Sequence, residues 1–292
     1  MKYPKVRLLN FPILISIFLM GFISCTKDKN EENLSAEETE VMRLSSEDDA
    51  TADHVFNEIH DLEMGIIEPI GLPDIGLNDV EISELDSVGR CVKITVTPRE
   101  LLAFPKTVVF DFGDGCRGPD GKTRKGKVIT RYSAPMRTPG ATAVTTFDNF
   151  SVNNVKVQGR HTTRNNSTST NRIFTRRVED GKLTFPGGAV VSWDATHTNT
   201  QTDGMGTPGF PLDDEFEITG GARGISERSG NRVEWSRRIA EPLVKAFSCR
   251  WISKGVVHIT RNDNRAILNF GEGECDNKAV IIINGQRKEI TL

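Results

Sequence analysis

Beyond residue 91 apolar and polar residues alternate with a period of two, in runs such as "TAVTTFDNFSV", "AVVSWDATHTN" and "EFEITGGARGI". That period places successive side chains on opposite faces of a strand. Turn pairs punctuate the runs at Asn153 and Asn154, Asp180 and Gly181, Gly187 and Gly188, Gly230 and Asn231, and Asn284 and Gly285. In "VVSWDAT" the apolar Val191, Trp193 and Ala195 oppose Ser192, Asp194 and Thr196, which predicts one packed and one wet face. No helix-length pattern separates the runs, so parallel crossovers have no connecting element. The expected fold class is all-β, an antiparallel meander of hairpins forming a sandwich, an open barrel or a curved sheet.

Upstream the period changes. Val41 and Leu44, then Val55, Ile59 and Leu62, recur at helical spacing, and Ser35 with Glu38 has the form of a capping box. This predicts one or two short amphipathic helices between about residues 36 and 64. The stretch 68–89, carrying Pro69, Gly71, Pro73 and Gly76, reads as a linker. The expected organisation is a leader over 1–24, an acidic tether over 25–90 and a β domain over 91–292.

The leader has the layout of a secretory signal peptide: Lys2, Lys5 and Arg7, an apolar run from Phe11 to Ile23, then Ser24 and Cys25. Broken by Asn10 and Pro12, the run is shorter than the roughly 20 residues of a membrane-crossing helix. The sequence "GFISC" resembles the lipobox of bacterial lipoproteins. That resemblance implies lipidation at Cys25, cleavage before it, and attachment to the membrane through the N-terminal lipid. The following "TKDKNEEN" resembles the signal that exports Bacteroidota lipoproteins to the cell surface, which implies the outer membrane.

Charge divides the chain. Residues 26–90 hold 19 acidic and 4 basic side chains, whereas residues 91–292 hold 21 acidic and 30 basic, against a net −3 for the whole. The acidic part is either a self-repelling spacer or a segment folded back onto the basic domain. Outside the cytoplasm nucleic acid is not an expected partner. The cations are scattered, with Arg176–Arg177 and Arg237–Arg238 the densest pairs, and few aromatic residues interleave for base stacking. An anionic glycan or an envelope protein fits better.

Four cysteines form an internal echo. Cys91 opens a strand and "VVFDFGDGC" ends at Cys116; Cys249 opens a strand and "NFGEGEC" ends at Cys275. Four cysteines allow three connectivities. A hairpin brings its outer ends together, which favours Cys91 with Cys116 and Cys249 with Cys275 in an oxidising compartment. No Cys-x-x-Cys knuckle or histidine pair suggests a metal, and no cofactor is expected.

Chemistry is sparse. "DFGDG" over 111–115 reads as a tight turn, since neither the other kinase motifs nor a closing calcium-loop glutamate accompanies it. His54 and His60, six apart on the expected helix, would not share a face, and His161, His197 and His258 stand singly on strands. Asp194, Asp203, Asp213, Asp214 and Glu215 cluster near Trp193 and the loop "TDGMGTPGFPLDDEF", the one place to look for a carboxylate pair.

The segments "VVFDFGDGCRGPDGKTRKGKV", "TTFDNFSVNNVKVQG", "PGFPLDDEFEITG", "RWISKGVVHI" and "NFGEGECDNKAVIIING" resemble the uncharacterised secreted lipoproteins of Bacteroidota. The resemblance covers most of the chain from about residue 48. It implies a β-rich fold and envelope localisation, and carries over no catalytic residue. Two functional expectations stand: a lipid-anchored envelope protein with a non-catalytic binding or structural role, or a glycan-active hydrolase using the acids near residues 194–215.

Overall fold

The period-two runs become strands of one sheet. The structure, a computed structural model, describes residues 34–66, 91–100, 103–207 and 210–292. Its elements are a helix α1 (Ala36–Glu63) and the strands β1 (Lys93–Thr97), β2 (Lys106–Asp111), β3 (Cys116–Arg117), β4 (Thr123–Tyr132), β5 (Thr142–Val152), β6 (Val155–Asn165) and β7 (Ile173–Thr184). They continue with β8 (Val190–Asp203), β9 (Glu215–Arg228), β10 (Asn231–Ala246), β11 (Lys254–Arg261), β12 (Asn264–Glu272), β13 (Lys278–Ile283) and β14 (Gln286–Thr291). Every pairing is antiparallel and sequential, except that β2 pairs with β4 and the two-residue β3 pairs with β4 alone. The sheet does not close: β1 and β14 are its edges. Of the expected arrangements, a single curved sheet is the one formed.

Bulges supply the curvature. Register shifts interrupt the pairing of β4 with β5, β5 with β6, and each following pair through β11 with β12. A bulge bends its strand and increases the local twist. Two of these positions can only be glycine. At Gly126 (φ 74°) a Cβ would lie 2.3 Å from the Asn149 carbonyl oxygen, and at Gly220 (φ 122°) 2.2 Å from that of Thr196. The expected turn at Asp180 and Gly181 is one of these bulges, so two expected strands are the single β7. The hairpin expected at Gly230 and Asn231 turns one residue earlier, on Ser229 and Gly230, the pair with positive φ.

The expected short helices are one helix of 28 residues, about 42 Å long. It starts at the capping box: the Ser35 hydroxyl accepts from the Glu38 N–H, and the Glu38 carboxylate accepts from the Ser35 N–H at 3.1 Å. It stops at Gly65 (φ 82°), where the Ile66 N–H reaches the Asp61 carbonyl and the Gly65 N–H that of Leu62. Those two bonds make a Schellman ending.

The helix is no tether. It lies in the hollow of the curved sheet and belongs to the same compact unit as the strands. Met42, Ala52, Phe56 and Ile59 join a core with Trp193, Val257, Leu268 and Ile281. Consecutive residues from Ile59 to Glu63 are all buried, so the helix is covered on every side there. That geometry explains why an apolar stripe alone was a weak guide: the polar face is buried as well.

Each expected cysteine pair is bonded, Cys91 with Cys116 and Cys249 with Cys275. Each closes a hairpin whose last paired residues are Lys93 with Asp111 in one case and Lys254 with Glu272 in the other. Replacing both cysteines of either pair by serine removes a crosslink over 25 or 26 residues. Urea unfolding is expected to show a loss of about 3 kcal/mol for each, read as a lower midpoint.

Candidate functional site

Along β8 the inward face begins apolar with Val191, Trp193 and Ala195, then turns polar with His197, Asn199 and Gln201, all buried. Neighbouring strands add Thr145, His161, Thr163, Arg176, Arg237 and Lys245 to that face. Here the acidic helix meets its complement. Arg237 sits 2.9 Å from Asp53 and 3.5 Å from Asp49. Lys245 lies 3.1 Å from Asp61, and Arg228 pairs with Asp48. At the helix end Glu63 accepts from the Thr145 and Thr163 hydroxyls, each at 2.6 Å, and from His161 Nδ1 at 2.9 Å. The excess cations of the β domain are therefore partly interior. Arg176 and Arg237 point in while Arg177 and Arg238 point out, as adjacent strand residues must.

Burial opposes ionisation of Asp53, but Arg237, His197 and Arg176 together outweigh it and hold the carboxyl down to about 2. Glu63 behaves alike: burial opposes its charge, and His161 with His60 holds it at about 2. Asp49 goes the other way, pushed up by burial to about 6 despite Arg237. His60 is lowered to about 3 by burial. Since the Thr163 hydroxyl gives its proton to Glu63, its oxygen is left to accept from His60 Nδ1 at 3.2 Å, which fixes the neutral tautomer. His60 and His161 thus converge on one carboxylate, a relation invisible when each histidine is read alone.

A cleft of about 600 Å3 opens beside this seam. The helix contributes Val55, Ile59 and Leu62 to its floor, with Phe150, Val152 and Phe247 opposite. One wall is the turn at Pro119 and Asp120, and the other is the loop bearing Ser248, Arg250 and Trp251. These walls belong to the two halves of the cysteine echo. The Cys91–Cys116 bond lies three residues before Pro119, and Cys275 itself lines the cleft. Arg124 grips Asp120 through both nitrogens, at 2.7 and 3.1 Å, and Arg250 reaches the same carboxylate at 3.1 Å. Trp251 stacks on His54 of the helix with ring centres 4.5 Å apart. Glu58 meets Lys122 at 2.6 Å and Arg124 at 3.5 Å. Burial would raise the Glu58 carboxyl, yet His54, Lys122 and Arg124 hold it well below the carboxylate range.

Of the acids expected near residues 194–215, Asp194 stands apart, whereas Asp203, Asp213, Asp214 and Glu215 gather at the β8–β9 connection: Asp203 pairs with Glu215 across the strands, and the Gln201 amide bonds both the Asp203 carbonyl and the Asp214 carboxylate. Asp194 accepts the Asp180 N–H at 2.8 Å, Asp203 that of Gly204 at 2.8 Å, and Glu215 the Thr202 hydroxyl at 3.3 Å. Asp213 takes the Thr207 hydroxyl and Asp214 the Gln201 amide, with Asp214 raised by burial to about 6. Asp194 and Asp203 are nine residues apart on β8, roughly 30 Å, so Asp194 is not part of that group. Trp193 is interior, its N–H bonded to Asp49 at 3.0 Å. Cys25 lies outside the described residues. Among the described residues no group of His, Cys, Asp or Glu is arranged to hold a metal ion, and no helix is long and apolar enough to cross a membrane.

Replacing Arg237 by methionine leaves Asp53 buried without its cation, and thermal unfolding is expected to show a loss of about 3–5 kcal/mol. Acid has a second, graded effect. Neutral His60 stabilises above its ordinary value of 6.5 and loses that contribution as pH falls toward about 3. Asp53 and Glu63 lose theirs as pH falls from the ordinary carboxylate range toward about 2. Asp49 has the opposite sign, favouring the fold below 3.8 and opposing it as pH rises through about 6. The melting temperature is therefore expected to drop from pH 6.5 downward, and His60→Gln to flatten the upper part of that drop. Comparison with protein-family models, curated proteins and solved structures finds no match to this chain.

Proposed function

We propose that the protein is a lipid-anchored cell-envelope protein, held at the outer membrane through Cys25, with a non-catalytic binding role exercised at the cleft. The single observation that carries the binding reading is the state of the cleft's carboxylates. Glu58 is engaged by Lys122 and Arg124, Asp61 by Lys245, and Asp120 by Arg124 and Arg250. An acid–base pair needs one carboxyl free to take and return a proton near neutral pH. Here the charges hold the walls together, and the floor between them is apolar. A concave, mostly apolar cavity with a few fixed polar groups is the usual form of a small-molecule site.

Anchoring is supported by the basic, apolar and small-residue layout that ends at Cys25, and by the pairing of the other four cysteines among themselves. Stable attachment takes two acyl chains, which one lipidated cysteine supplies. A free β-sheet surface meeting an anionic glycan or an envelope protein is the weaker form of the same reading, because the inward cations of the densest basic pairs serve the helix.

Ser248 is exposed and lines the cleft, so Ser248→Trp blocks the mouth without touching the core. Protein purified from its own membranes is expected to release a bound small molecule on denaturation, at about one per chain, and the variant to release none. An equal yield from both would overturn the cleft as the site. Mass spectrometry of the mature N-terminus is expected to find acylated Cys25, and an unmodified N-terminus would remove the anchor. Turnover on a polysaccharide panel that disappears in Asp213→Asn or Asp214→Asn would overturn the non-catalytic reading.

A further inference from the structure

Apart from the cleft, we infer that the outer face of strands β4 to β7 is a second binding surface, and that its partner is a linear polysaccharide bearing carboxylates. The inward cations of the sheet serve the helix, but the outward ones do not. Arg131, Arg160, Arg164 and Arg177 are all exposed, each next to a buried residue that points inward. Register gathers them around Thr162. Arg160 and Arg164 stand on either side of it along β6, each about 7 Å away, and Arg177 is its partner on β7, about 5 Å away. Arg131 lies two strands off on β4, about 10 Å away, opposite Val144. Threonines fill the spaces: Thr142 and Thr175 pair with Arg164, and Thr146 with Arg160.

The charge of these arginines is not answered. Among the described residues Arg131, Arg160 and Arg164 form no ion pair, and Arg177 has only Glu179, at 3.5 Å. Lys125, Lys127, Lys156 and Lys182 share the face, so eight cations stand against three carboxylates, Asp148, Glu179 and Asp180. Adding Asp111 and Asp194 at the borders still leaves three cations in surplus, and both of those acids have partners, Lys127 at 3.4 Å and the Asp180 N–H at 2.8 Å. Like charges on neighbouring strands repel. The chain as a whole carries −3, so any attraction for a polyanion is local to this face.

Shape and chemistry select the partner. An open strand face does not enclose a small anion, and its arginines span about 13 Å along β6 and about 14 Å from β4 to β7, which suits a chain charged at each repeat. The planar fork of arginine pairs at two points with a carboxylate. Threonine hydroxyls, donors and acceptors at once, match the hydroxyls of sugar rings. A membrane surface fits less well. The patch backs onto the Glu63 end of α1 through Thr145, His161 and Thr163, whereas the N-terminal chain joins the helix at its other end, about 42 Å away.

The test uses the mature full-length chain carrying Cys25→Ser, titrated by calorimetry with polygalacturonate as the polyanion and dextran as the neutral polymer. Polygalacturonate is expected to bind at low salt and to weaken steadily as salt is raised, and dextran not to bind. Arg131→Gln with Arg164→Gln is expected to weaken polygalacturonate about tenfold and to leave the melting temperature unchanged. Arg265→Gln with Arg287→Gln removes the same charge from the other half of the sheet and is expected to change binding by no more than about twofold. Ser248→Trp is expected to leave it unchanged, so that failure of the cleft and failure of this face are told apart. Absence of saturable polygalacturonate binding, equal binding of dextran, or equal weakening by the two arginine pairs would each overturn the assignment. Binding to phosphatidylglycerol vesicles in place of polygalacturonate, lost with Arg131 and Arg164, would make the partner a membrane and overturn the polysaccharide.

Discussion

A carboxylate taken out of water survives as an ion only beside a cation or several donors. Helix α1 carries Asp48, Asp49, Asp53, Asp61 and Glu63 into the interior at once. No apolar sheet face could accept it. The inner face therefore changes character along its strands, from Val191 and Trp193 to His197 and Asn199, and places Arg237, Lys245 and the Thr145–His161–Thr163 group where the helix presents its acids. Replacing a buried ion pair by well-packed apolar residues is often neutral or stabilising. What such pairs add here is register. A helix sliding by one turn would place every carboxylate opposite the wrong partner.

Curvature and charge reinforce each other. The bulges bend the sheet until hairpins from opposite ends of its order face each other, so that Asp120 before β4 reaches Arg250 before β11. The cleft is the gap left where this closure is incomplete. Its walls are stiff because each sits beside a disulfide, and its floor is stiff because it is the helix. A ligand of the proposed kind would meet a site organised beforehand, which lowers the cost of binding.

Much of the architecture was legible in the sequence, and the reasons are local. β8 alternates cleanly from Val190 to Gln201, Asn153 and Asn154 turn where their positive φ allows, and Ser35 with Glu38 caps the helix. The cysteine echo was legible because hairpin ends must meet. What was not legible was long-range. Gly126 and Gly220 look like turn residues, yet they make bulges inside strands, a distinction that depends on the neighbouring backbone. The cleft depends on residues from α1, β5 and two loops that share no local pattern. One signal was available: an excess of acids upstream matched by an excess of bases downstream, with helical spacing in the former. The acids near residues 194–215 were legible in part: Asp194 is carried away along an extended strand, while the return of the chain from β8 to β9 sets Asp203 opposite Glu215 and beside Asp214.

The position of α1 at the start of the described chain has a mechanical meaning. Whatever precedes Leu34 is attached to the buried helix and not to a sheet edge. A pull transmitted from that side runs along the helix axis and loads the whole seam in parallel, from the Asp48–Arg228 pair to Glu63 at the far end. Peeling one hairpin from an edge breaks contacts in sequence, and little force is needed at each step. Drawing a capped, ion-paired helix lengthwise out of its hollow requires many contacts to fail together, so the domain resists tension best along the line on which its N-terminus delivers it.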